Sequence, residues 1–128
     1  MSYHEIRNSH DIASFIAETN GLHDGYLVFA HYDHTGFGWG NPLVINDQKA
    51  ILKLQIMVTS MHNKLIELVF EAVRTWKIKD NQNEILDTSV SFTDDGWILW
   101  CSDDSAAISD GDYVIAKSMK WRIIPDHD

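Results

Sequence analysis

The order of apolar and polar positions along the chain predicts one helix followed by a series of strands. Ile12, Phe15, Ile16 and Thr19 recur at helical spacing. Asn8-Ser9-His10-Asp11 in front of them reads as a helix start, a capping side chain followed by an acidic first turn. Asn20-Gly21 closes the helix, because glycine accepts the left-handed backbone needed at the exit, and Leu22 is expected to fold back on the last turn. From Gly25 the period falls to two. Tyr26, Val28, Ala30 and Tyr32 are expected on one face, with Leu27, Phe29, His31 and Asp33 on the other. Both faces are apolar at the centre, which predicts a buried, central strand.

Thr35 to Ala50 has the composition of a loop, with Gly36-Phe37-Gly38-Trp39-Gly40-Asn41-Pro42 inside it. Leu52, Leu54, Ile56 and Val58 then alternate with Lys53 and Gln55 as in a half-buried strand. Lys64 to Lys79 fits two patterns. Leu65, Leu68, Val69, Ala72, Val73 and Trp76 make a helical stripe, while Ile66, Leu68, Phe70 and Ala72 alternate. The branched and aromatic side chains, and the short turn before them, favour a strand with a bulge near Ala72. Leu86, Thr88, Val90 and Phe92 predict a further strand. Asp95-Gly96 predicts a tight hairpin turn with positive φ at both central residues, and Trp97 to Cys101 forms the return. Tyr113, Ile115, Met119, Trp121 and Ile123 share a parity and predict a long last strand, ended by Pro125. The expected fold is a single α+β domain spanning residues 1–128. Its N-terminal helix packs on a curved, mainly antiparallel sheet of five to six strands.

Composition narrows the class. The chain has 128 residues, 45% hydrophobic and 23% charged, enough for one core. No apolar run approaches the ~20 residues of a membrane-spanning helix. Met1 to Glu5 is neither basic nor apolar, and the single Cys101 has no internal disulfide partner. A cytoplasmic protein is the expectation. The net charge of −9 argues against nucleic acid, which needs a basic patch. From Asp80 to Asp112 there are nine acidic residues and no Lys or Arg. That segment is expected to form an acidic face that attracts a basic protein.

Candidate chemistry is sparse. His23, Asp24, His31, Asp33 and His34 invite a metal reading, with His31 and Asp33 on one strand face. On a regular strand His34 points away from His31. His23 precedes His31 by eight residues, roughly 25 Å of extended chain at ~3.3 Å per residue. The expectation is therefore no metal and no cofactor: His23, Asp24 and Gly25 join the helix exit to the strand, and His31, Asp33 and His34 are polar groups at its end. A small metal-dependent enzyme or a ligand-binding module centred on His31 and Asp33 is the alternative. Cys101 has no basic neighbour in sequence to activate it. Gly36-Phe37-Gly38-Trp39-Gly40 lacks phosphate-binding spacing, and Asp103-Asp104 with Asp110-Gly111-Asp112 do not space as a calcium loop. Of five tryptophans, Trp39 sits in the glycine-rich loop and is the candidate partner anchor.

The helix ending in Gly21, then Leu22-His23-Asp24-Gly25 leading into a strand, resembles a group of small bacterial domains with a Phe-His-Asp-Ala/Ser motif. In those domains a later strand carries a pattern similar to Ile66-Glu67-Leu68-Val69-Phe70-Glu71-Ala72-Val73. Here Leu22 replaces the aromatic residue and Gly25 the small one. Several members are assigned as immunity proteins of polymorphic toxin systems. The resemblance implies their fold and a non-enzymatic binding role. Combined with the charge pattern, it leads to an expected partner surface of Asp94, Asp95, Trp97, Asp103, Asp104, Asp110, Asp112 and Trp39. The partner would be a basic protein such as a nuclease toxin, bound so that its active site is occluded.

Overall fold

A computed structural model describes residues 2–34, 37–38, 44–45, 50–78, 84–85, 88–102 and 111–125. In chain order its elements are β1 (His4–Glu5), α1 (Ser9–Thr19), β2 (Gly25–His34), β3 (Phe37–Gly38), β4 (Val44–Ile45), β5 (Ala50–Val58), β6 (Lys64–Lys77), β7 (Glu84–Ile85), β8 (Ser89–Phe92), β9 (Ile98–Cys101) and β10 (Tyr113–Ile124). The α+β class holds. The main sheet has eight strands in the order β7-β2-β5-β6-β10-β9-β8, with β1 also on β10, and β3 and β4 form a separate pair. All of its pairings are antiparallel. The count exceeds the expected five to six because β1 and β7 have two residues each, too few to leave a periodic trace.

The strand order forces the sheet to curl. β7 and β8 are its two ends, yet Ile85 and Ser89 are only four residues apart. Four residues span at most about 14 Å. Six flat inter-strand gaps at ~4.8 Å would separate the ends by roughly 29 Å. The edges therefore approach without pairing, and α1 fills the trough between them. Thr88 ties the ends together: its N–H donates to the Gly21 carbonyl at 3.0 Å and its hydroxyl to the Cys101 carbonyl at 2.6 Å.

The helix begins where its cap predicts. The Asn8 side chain accepts from the Asp11 N–H at 2.9 Å. Phe15 and Thr19 are buried, and Phe15 packs on Trp121 with ring centroids 5.5 Å apart. Asn20 and Gly21 turn the chain out at φ 54° and 62°, and Leu22 is fully buried beneath them.

Strand β6 runs through the centre, paired with β5 on one side and β10 on the other. Leu52, Phe70 and Met119 lie in one inward row, and Leu54, Leu68 and Trp121 in the next. The parity of β6 does change near Ala72, which has φ 54°, and the inward position passes to Val73. The same change occurs opposite it on β10, where Val114 and Ala116 face the core before Met119 and Trp121 do. This corrects the single parity expected for β10: one added residue on each strand keeps the two in register while both faces swap. A separate slip between Ile115 and Ala116 leaves Arg74 as the extra residue of β6.

Strand β2 departs furthest from expectation. Among the described residues, only Gly25 and Tyr26 pair with β7, and the remainder pairs with β5 alone. It is an exposed edge, with Val28 57%, Phe29 44%, Tyr26 43% and Tyr32 40% accessible. A register slip at Val28 also reassigns its faces. Leu27, Ala30, Tyr32 and His34 oppose core-facing residues of β5, while Phe29, His31 and Asp33 oppose Gln55, Lys53 and Ile51 on the outer face. The β8–β9 turn differs too. Gly96 alone has positive φ, its N–H donates to the Thr93 carbonyl at 3.0 Å, and the Thr93 N–H donates to the Trp97 carbonyl at 2.8 Å. This is a three-residue loop with a left-handed Gly, not a two-residue turn.

Gly25 occupies the tightest place in the fold. A Cβ there would lie 2.7 Å from the Leu22 carbonyl oxygen and 2.8 Å from Ile56 Cγ2. Gly25→Ala must push β2 off β5 or distort the helix exit. The expected cost is about 1–3 kcal/mol, a fall in Tm of roughly 5–15 °C. An unchanged Tm in thermal denaturation would show that the contact relaxes freely.

Candidate functional site

Residues expected to carry function fall in three separate places. At the helix exit, the His23 and Asp24 side chains are about half exposed and 3.6 Å apart, Nε2 to Oδ2. Their backbone carbonyls make the longer-range connection: Ser60 Oγ donates to the His23 carbonyl at 2.6 Å, and Thr59 Oγ1 donates to the Asp24 carbonyl at 2.8 Å. Asn20 Nδ2 reaches Ser60 Oγ at 3.1 Å. The dipeptide therefore fastens α1 and β2 to the β5–β6 corner through main-chain oxygens, and Asp24 adopts φ 57° to present them.

On β2, His31 and Asp33 do share a face, and His34 lies on the opposite one. His31 faces Lys53 across the strand pair, so a cation there would meet an ammonium group. Among the described residues no three His, Cys, Asp or Glu side chains gather in a metal-holding group.

The acidic segment is represented by the tip of the β8–β9 hairpin. Asp94 and Asp95 are exposed there beside half-buried Trp97, and Phe92 is 39% accessible. Arg74 crosses to this tip, its guanidinium 5.4 Å from the Trp97 ring centroid and 3.4 Å from Asp95 Oδ2. The Thr93 hydroxyl and then Arg74 hold the Asp95 carboxyl below the usual aspartate range. Asp112 is corrected: it is 6% exposed, its N–H donates to Ser102 Oγ at 3.0 Å, and it belongs to the loop base, not to a contact surface. Trp39, Asp103, Asp104 and Asp110 lie outside the described residues.

The sequence reading missed Glu67. It faces outward from β6 yet is only 4% exposed. Gln55, Glu67 and Arg122 occupy one row across β5, β6 and β10. Gln55 Nε2 donates to one carboxylate oxygen and Arg122 Nε to the other, each at 3.0 Å, and the Tyr3 hydroxyl also donates to Glu67. Arg122 and Lys120 lie 4.8 and 4.9 Å from the Tyr3 ring centroid. Burial alone would raise the Glu67 pKa; the hydrogen bonds from Tyr3 and Gln55 and the charge of Arg122 outweigh it and hold the group below the ordinary glutamate value. The same bond, with burial and the Glu67 charge, raises the Tyr3 phenol above its ordinary value against the pull of Arg122. One signal was present: a lone Glu inside the apolar run from Leu65 to Phe70.

A polar groove of about 360 Å³ lies between β1 and α1, lined among others by His4, Arg7, His10, Asp11 and Glu18. Arg7 pairs with Glu5 at 2.8 Å, and the Asp11 carboxylate accepts from the Arg7 N–H at 2.9 Å.

No protein-family model, curated protein or solved structure matches the chain.

Because the folded pKa of Glu67 is depressed, its contribution to stability is present above the unfolded glutamate pKa. It is lost as pH falls through the lower folded value. Glu67→Gln is expected to flatten the acid limb of a plot of urea midpoint against pH. Tyr3→Phe is expected to cost about 1–2 kcal/mol at neutral pH. Identical acid limbs in wild type and Glu67→Gln would contradict this account.

Proposed function

We propose that the chain is a non-enzymatic protein-binding domain of the immunity type, which binds a basic partner protein in the cytoplasm and occludes its active site. The observation that carries this reading is the concentration of charge. Nine acidic residues and no Lys or Arg lie between Asp80 and Asp112, and the described part presents Asp94 and Asp95 outward beside Phe92 and Trp97. An aromatic group beside two exposed carboxylates and one guanidinium, Arg74, leaves a net negative tip that suits a basic surface: the charges guide the encounter and the ring supplies buried area. The hairpin tip has a defined shape: the Thr93 hydroxyl donates to Asp95 and accepts from the Trp97 N–H, and Arg74 pairs with Asp95 at the surface. The buried carboxylate of Glu67 engages structural partners, Tyr3, Gln55 and Arg122.

Affinity capture from the source cytoplasm at low and high salt tests the reading. A basic protein should be retained at low salt and released as salt rises. Asp94→Lys should slow its association about tenfold, and Phe92→Ser should speed its dissociation. Both substitutions are exposed and should leave Tm nearly unchanged. Capture of no basic protein, or binding indifferent to salt and to Asp94→Lys, would sink the proposal.

A further inference from the structure

We propose that the free edge of β2 is the contact between two copies of this chain, paired antiparallel about Tyr32. Among the described residues, Phe29 to Asp33 pair on one side only, with β5. Beyond the slip at Val28 the strand carries little edge protection: Phe29 to His34 contains no Pro and no Lys, and Phe29 and Tyr32 are exposed. What selects a second copy as the occupant is self-complementarity. In a two-fold antiparallel pair, opposed residues lie on the same face of the joined sheet, and each contact occurs twice.

Centring the pair on Tyr32 sets His31 opposite Asp33 of the second copy, and Asp33 opposite its His31. An imidazole N–H then faces a carboxylate at both places. Lys53 opposes His31 on β5 and lies diagonal to Asp33 of its own copy, which opposes Ile51. Centring instead on His31 would oppose two imidazoles and set each Asp33 against Phe29. On the inner face, Tyr32 opposes Tyr32. Since Tyr32 already contacts Trp76, with ring centroids 5.3 Å apart, the pairing joins two aromatic clusters. A contact of this size makes a weak dimer, with a dissociation constant on the order of 10 µM. It uses Phe29 to Asp33 and none of the hairpin residues Phe92 to Trp97, so substitution at Asp33 tests it separately from substitution at Asp94.

Sedimentation equilibrium of the full chain, from about 1 to 300 µM, tests it. A monomer–dimer equilibrium is expected. Asp33→Lys, an exposed substitution, should weaken it about tenfold or more by opposing two cations to two imidazoles. The exchange His31→Asp with Asp33→His restores both pairs and should return the dimer to within about threefold of wild type. A chain monomeric throughout, a dimer untouched by Asp33→Lys, or an exchange variant as weak as Asp33→Lys would each overturn the proposal. Circular dichroism of each variant checks that the fold is retained.

Discussion

The chain between β7 and β8 is too short for a flat sheet, and much of the fold follows from that. With Ile85 and Ser89 at opposite ends of the strand order, the sheet must curl until its edges nearly meet. Curling turns the inner face into a trough, and α1 is the element that fills it. The helix must then leave the trough within a few residues to start β2. Positive φ at Asn20, Gly21, Leu22 and Asp24 is the result. That turn brings Gly25 so close to Leu22 and Ile56 that no side chain fits. The Thr88 hydrogen bonds close the arrangement by tying the helix exit to the far edge strands.

Features set by local chemistry were readable in the sequence. The helix start within Asn8-Ser9-His10-Asp11, the helix stripe, the Asn20-Gly21 exit and the alternation of β5 depend on neighbours a few residues apart. The choice of strand over helix for β6 also rested on side-chain shape. Features set by register were not readable. A single inserted residue at Val28, and paired insertions near Ala72 and Lys117, swap faces without changing composition. Apolar residues on both faces of β2 implied burial, but an edge strand that exposes aromatic groups has the same pattern. Asp112 looked like one more surface acid because nothing local distinguishes a buried loop base from a solvated one. Glu67 stood out in sequence only weakly, since its partners Tyr3, Gln55 and Arg122 come from three other segments.

The hairpin tip of β8–β9 and the aromatic edge of β2 belong to different strands of the sheet and differ in chemistry. At the tip, Asp94 and Asp95 outnumber the guanidinium of Arg74, and Phe92 adds exposed apolar area. Along β2, the imidazole of His31 and the carboxylate of Asp33 share one face, and apolar side chains dominate. An excess of one charge suits an oppositely charged partner, whereas a donor and an acceptor alternating along one strand suit its own copy. The difference argues against treating all exposed groups as one interface.

The buried carboxylate of Glu67 is a scaffold element for a physical reason. A group used for proton transfer needs a pKa near working pH and access to a substrate, whereas Glu67 is held ionised by three side-chain donors and covered by Tyr3. What such an ion does well is penalise wrong pairing. Sliding β6 by one residue would carry Glu67 to the inner face among Leu52, Leu54 and Trp121, where no donor awaits it. The row from Gln55 through Glu67 and Arg122 to Tyr3 thus rewards one register across β5, β6, β10 and the N-terminal segment. That is the discrimination a curled sheet with bulges on both central strands requires. Apolar contacts alone tolerate slippage, and the face swaps near Ala72 and Lys117 work only when both strands are aligned.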